Sequence, residues 1–172
     1  MPYDRQLVRT ESHMVDVRPI TEDDADVVQA LLAETGGSPK VAGHGVLYDA
    51  STLPGLIAYL AGQPVGLLTY HVEGDSWEIV KISASVRERG VGTALVRAAE
   101  ELARRNGARR LWLITTNDNT IALRFYQRRG FDLVALHRDG VTKARTELKP
   151  EIPLEVNGIP LRHELELEMR LD

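Results

Sequence analysis

Cysteine is missing from all 172 residues, which excludes disulfides, thiolate metal sites and any acyl-cysteine intermediate. Apolar runs are short. None approaches the roughly 18 residues that would span a bilayer, and the opening MPYDRQLVRTESHM has no apolar centre of a secretory signal. No membrane partner and a cytoplasmic location are the expectation. The histidines at 13, 44, 71, 137 and 163 show no i,i+4 pairing beside a carboxylate, so no metal site is expected. Internal repeats and low-complexity segments are absent as well.

What is present is the composition of a globular chain, 43% hydrophobic and 27% charged. Its length suits one domain with a real core. A net charge of −4 argues against a general nucleic-acid partner, but the charge is unevenly spread. Ten arginines and four acids fall between Arg87 and Gly130, giving +6 there against −10 elsewhere. Such a segment is either a set of solvated helix faces or a cationic surface for a small polyanion.

The pattern predicts a loose arm at 1–13 and one domain over 14–172. A strand is expected at 14–19, then a helix capped by Thr21, with Ala25, Val28, Leu31 and Leu32 inward and Gly36-Gly37 ending it. Residues 38–55 show no clear pattern and read as a binding loop with room for a short helix. Three apolar stretches with turns at 62–64 and 74–75 read as an antiparallel meander. A helix follows from Val91, with Val91, Leu95, Ala98 and Leu102 buried and Arg97, Glu101, Arg104 and Arg105 outward. Then come a strand at 108–116, a helix closing on Gly130 and a strand at 131–138. After a long excursion at 138–160, the tail LRHELELEMRLD alternates strictly, predicting a strand with one buried and one wet face. The class is α/β with a mixed sheet, in the order β-α-(loop or short α)-β-β-β-α-β-α-β-β.

The stretch RERGVGTALV joins the meander to the second helix. Glycines at such a junction let the backbone approach a phosphate, and the helix start offers free N–H groups and a positive dipole end. A dinucleotide fingerprint would need glycine where Leu95 stands, and a Walker A loop would need a lysine that is not there. Both motifs also usually follow an early strand of a parallel sheet. A nucleotide-binding domain and a glycine-rich cap without ligand remain the alternatives to a third pattern, R-x-x-G-x-G.

That pattern, Arg87-Glu-Arg-Gly90-Val-Gly92, resembles the coenzyme A pyrophosphate site of the GNAT superfamily of N-acetyltransferases. A second motif, from Asn119 through Ala122, Phe125 and Tyr126 to Gly130-Phe131, is similar to that family's N-x-x-A-x-x-F-Y-x-x-x-G-F helix, one strand later. The resemblance covers residues 15 to 137 well. It implies a GNAT fold, acetyl-CoA as cofactor and transfer of acetyl to a primary amine of a small molecule or peptide. Arg87, Glu88, Arg89, Gly90, Val91, Gly92 and Thr93 would meet the pyrophosphate, with Arg124 and Arg128 as further cationic candidates. The strand end at Ile82, Ser83 and Ala84 would splay from the next strand, pair with the pantetheine amides and polarise the thioester carbonyl. Asn119 and Ala122 would flank the cofactor arm.

By resemblance Tyr126 is the general acid; packing beside Phe125 would alone explain a tyrosine there. Glu78 is the candidate base, placed four residues before Ile82 and so on the same strand face; a wet-face glutamate is its alternative, and His71 or a water chain could replace it. The acceptor is expected between residues 36–54, where Asp49 is the sole acid, and the region beyond strand 76–84. Lack of cysteine fits direct attack in a ternary complex. A non-catalytic acyl-CoA sensor and a transferase of another short acyl group are the competing readings. The excursion and the last strand would suit a homodimer interface.

Overall fold

In the computed structural model, which describes residues 14–35, 38–85 and 90–172, alternating stretches become strands and periodic ones become helices. The order is β1 (Asp16–Pro19), a 3-10 turn (Glu22–Asp24), α1 (Ala25–Glu34), β2 (Lys40–Gly43), β3 (Val46–Asp49), β4 (Gly55–Leu60), β5 (Gln63–Glu73) and β6 (Ser76–Ala84). There follow α2 (Val91–Arg105), β7 (Arg110–Thr116), α3 (Thr120–Gln127), β8 (Asp132–His137), α4 (Gly140–Glu147), β9 (Glu155–Val156), β10 (Ile159–Pro160) and β11 (Glu164–Arg170). The α/β class is as expected, while the arm at 1–13 lies outside the described residues. Among the described residues no helix is long and apolar enough to cross a membrane.

Seven strands form one sheet in the order β1-β4-β5-β6-β7-β11-β8. Neighbours run antiparallel except β6 and β7, which are parallel, with α2 as the crossover between them. The meander holds, but its first turn is at Ala61-Gly62, both with positive φ (50° and 77°), and Gln63-Pro64 already belong to β5. Paired positive φ values match the right-handed twist of the flanking strands. The same geometry at His44-Gly45 makes a hairpin of β2 and β3 where a patternless loop or short helix was expected. His-Gly lacks the sequence signature of Asn-Gly, and four-residue strands show little alternation.

Adjacent residues of β5 point to opposite faces. Leu68 joins the core beneath α2 and α3, and Leu67 joins the smaller core beneath α1. On α2 the buried stripe is Val91, Leu95, Val96, Ala99 and Ala103. Ala98 and Leu102, expected at its centre, lie at its border. The small side chains of Ala99 and Ala103 bring the helix axis close to the sheet. The excursion contains α4 and the β9–β10 hairpin, held by Arg145, which donates to the carbonyls of Ile152, Pro153 and Leu161 at 2.8–3.0 Å. It turns Val141 and Ala144 inward on its own chain.

The tail forms β11 between β7 and β8, shorter than the eleven-residue alternation and not at a sheet edge, so neither of its edges is free for exchange with a second copy. Its polar face is wet only at the end, where the Arg170 side chain is 79% exposed: Glu164 is 4% exposed, and the Glu166 and Glu168 side chains are 14% and 17% exposed. Arg110 of β7 pairs with both, at 2.6 Å to Glu166 and 2.5 Å to Glu168, and His137 of β8 lies 3.1 Å from Glu166. Cross-strand pairing replaces water on that face.

Thr69 is fully buried and, among the described residues, its hydroxyl has no hydrogen-bond partner. Replacing an unpaired buried hydroxyl by a methyl removes a desolvation cost. Thr69→Val is therefore expected to raise unfolding free energy by about 1 kcal/mol; a loss of stability in urea titration would contradict this.

Candidate active site

Strands β6 and β7 stay together only from Ser76 opposite Arg110 to Ile79 opposite Leu113. Beyond that, residues 81–84 pair with β5 alone, and the gap opens into a cleft of about 490 Å³. Ile82, Ser83 and Ala84 line it, as expected, and the parting begins three residues before them. Their backbone groups on the β7 side have no strand partner. Val41 of the hairpin and Tyr126 of α3 both line the cleft, so it is bordered by elements from both faces of the sheet.

A bulge corrects one expectation. Thr69 faces Lys81 and Tyr70 faces Ile79, leaving Val80 without an opposite residue. The alternation slips there, so Glu78 and Ile82 lie on opposite faces. Ile82 shares the side of Leu68, under α2, whereas Glu78 sits opposite His71 on the hairpin side.

On the helix side, α2 starts at Gly90, whose φ of 73° strains any residue with a Cβ. Ala94 makes the first bond back to the Gly90 carbonyl, so the N–H groups of Val91, Gly92 and Thr93 have no intrahelical partner. The Val91 side chain is core. A Cβ on Gly92 would lie 3.1–3.2 Å from the Phe125 ring, so this glycine serves packing between α2 and α3 as well as any ligand. Arg87, Glu88 and Arg89 lie outside the described residues.

Thr93, Arg97, Arg124, Arg128 and Arg129 surround a second cavity of about 470 Å³. Arg124 and Arg128 were expected there; Arg129 was not singled out. Its guanidinium sits 3.6 Å from the centroid of the Phe125 ring, donates to the Phe125 carbonyl at 2.7 Å and to the Thr93 hydroxyl. Burial, then repulsion from Arg128 and Arg97, pushes the Arg129 pKa down, as expected where cations crowd without an anion. The signal for Arg129 was the Arg-Arg pair before Gly130; helical spacing alone favoured Arg124 with Arg128.

Asn119 caps α3 by accepting the Ala122 N–H at 3.0 Å, and both residues line the cleft. Tyr126 is 5% exposed, edge-on to Phe125 and Phe131, and in the cleft wall. Burial raises its pKa, so the phenol keeps its proton at neutral pH.

Glu78 is buried under the hairpin, 6% exposed, and the Tyr48 hydroxyl donates to it at 3.1 Å. It is not on a wet face. Burial lifts its pKa to about 7, opposed by the Tyr48 hydrogen bond and Arg110 and reinforced by Glu164 and Glu166. His71 lies against the Tyr48 ring, 5.2 Å between centroids. Asp49 is already engaged, with Lys40 at 3.2 Å and with Ser51. His44, His137 and Glu166 converge within 4.8 Å, a grouping of ligand types assembled from three elements that no i,i+4 search detects. Both Glu166 oxygens are in use there, one towards His137 and one towards Arg110.

Residues 16–131 match the family model described as the acetyltransferase (GNAT) family. The uncharacterized protein YxbD of Bacillus subtilis is 39% identical over 159 residues, covering 91% of this chain and 99% of that protein. Among solved structures, the IAA acetyltransferase from Bacillus cereus superposes with a TM-score of 0.69 at 23% identity, over 92% of this chain and 100% of its own. A Bacillus subtilis acetyltransferase in complex with CoA gives 0.62 at 22% identity, over 91% and 97%.

The Glu78 environment has a thermodynamic signature. Its carboxyl titrates near 4.5 when unperturbed and near 7 in the fold. Between those values the folded state holds a proton that the unfolded chain has lost, so stability falls as pH rises across the window. Glu78→Gln should flatten that part of the profile; an unchanged slope in denaturant titrations would refute the assignment.

Proposed function

The chain belongs to the GNAT acetyltransferase family, and on that premise we propose that it transfers acetyl from acetyl-CoA to a primary amine by direct attack in a ternary complex, as a cytoplasmic enzyme. The observation that carries this reading is the gap between β6 and β7. It is lined by Gly92 at the start of α2 and by the buried phenol of Tyr126, while Glu78, whose pKa is lifted to about 7, lies at the foot of the fork on the other face of the sheet and outside the cleft lining.

As a member of the family the chain takes acetyl-CoA as cosubstrate, which supplies an acetyl group activated as a thioester. The chain's groups fit such a molecule. The N–H groups of residues 91–93, which have no intrahelical partner, and the Thr93 hydroxyl would hold the pyrophosphate, with Arg97, Arg124, Arg128 and Arg129 meeting the remaining charge. The unpaired backbone of 82–84 would hold the arm as an added strand, and an N–H there would polarise the acetyl carbonyl. Tyr126 would keep its proton on Oη until the departing sulfur needs it. Glu78, on the acceptor side, would take a proton from the ammonium form of the amine, directly or through water. With no cysteine in the chain, no thiol offers a covalent detour.

Tyr126→Phe keeps the packing against Phe125 and Phe131. It should lower kcat by about 10²- to 10⁴-fold while CoA affinity in calorimetry is retained. Glu78→Gln should remove the limb of the pH–rate profile near 7. Wild-type protein that binds CoA but acetylates nothing across a panel of primary amines would reject the enzyme reading and leave a binding module.

A further inference from the structure

Lys81 is a polar group that the reading above leaves without a task. The bulge at Val80 turns it to the hairpin side, together with Glu78. There it lines the cleft and also a second cavity of about 370 Å³, walled by β2, α4 and β11. The two spaces share Val41, Ile114, Thr115 and Asn119 as well, so the second cavity is a continuation of the cleft away from the cofactor cradle.

The charges around this cavity do not balance locally. Lys40 is paired with Asp49, and Glu164 accepts the His44 N–H at 2.8 Å. Lys149 donates to the Lys40 carbonyl at 2.8 Å, a neutral partner. Lys81 is half-buried, and among the described residues no carboxylate forms an ion pair with it or with Lys149. Burial and the neighbouring Lys149 both push the Lys81 pKa down. Against these two ammonium groups the wall carries one carboxylate, Glu164, which is turned to the His44 N–H, so a net positive charge beside a partly enclosed space favours an anion between the lysines. Ala42, Ile114, Val141, Ala144 and Ile152 give the rest of the wall an apolar side, beside the polar Ser38, Thr115, Thr116 and Asn119.

We infer that this cavity holds the acceptor, and that Lys81 with Lys149 binds a carboxylate on it. The acceptor class is then a free amino acid or close analogue with an apolar side chain, its amine directed towards the parting of β6 and β7. This inference rests on the acetyltransferase reading and narrows it.

The test uses a product pair that differs only in the anionic group, N-acetyl-leucine and N-acetyl-leucinamide, titrated into CoA-loaded protein by calorimetry. Wild type should bind the carboxylate form about tenfold more tightly or better, the difference expected of one charge-assisted hydrogen bond. Lys81→Met should erase that preference with CoA affinity unchanged, and Lys81→Arg should restore part of it. Should Lys81→Met prove unfolded by circular dichroism, Lys149→Met carries the same expectation. Equal binding of the two compounds, binding of neither, or a preference that survives the lysine variants overturns the proposal. Loss of CoA affinity in Lys81→Met would assign the lysine to the cofactor and also overturn it. Wild type that fails to bind CoA would instead sink the acetyltransferase reading, and this inference with it.

Discussion

Two parallel neighbours that share only four residue pairs set the terms for the rest of the molecule. Below the fork, Trp77 and Ile79 of β6 pack with Leu111 and Leu113 of β7 in the main core. Above it, each strand keeps its outer partner and loses its inner one. Backbone groups in that state need another partner, whether a ligand or water. The start of α2, the inner face of α3 and the β2–β3 hairpin all border this opening, so the elements that could act on a ligand are those the fork leaves room for.

The sheet also separates charge. From the cationic stretch noted in the sequence, Arg97, Arg124, Arg128 and Arg129 line a cavity at the helix side. Carboxylates gather on the hairpin side, where Glu166 and Glu168 pair with Arg110, Glu78 accepts from Tyr48 and Glu164 accepts from the His44 N–H. A donor rich in phosphate and an amine that must lose a proton have opposite electrostatic needs. Sites on opposite faces of the sheet, as proposed, would keep one field from spoiling the other.

Much of this was legible from the chain. The meander, the helix from Val91 and the Asn119 cap follow from local signals, turn residues and periodicity, and the placement of Tyr126 beside the cleft from the family resemblance of its motif. What escaped depends on pairing between distant segments. The bulge at Val80 is a property of register against β5, and no composition rule announces it; yet it decides which face Glu78 occupies. Alternation in the tail separated polar from apolar residues, but not whether the polar side would meet water or Arg110 and His137. The hairpin over Glu78 hid behind a His-Gly turn and strands of four residues. Arg129 was passed over because its importance comes from reaching another helix.

That reach has a mechanical consequence. Arg129, just past the end of α3, is bonded to Thr93 at the beginning of α2, and the missing side chain of Gly92 lets Phe125 fill the space between. Cradle and phenol are latched into one piece. On the proposed function, the distance from the amides at the start of α2 to Tyr126 is a fixed span, and the molecule would work as a calliper. It would accept a carrier by the length of its arm as well as by its charge, and a shorter nucleotide, however well its phosphates sat, would end before it reached the phenol.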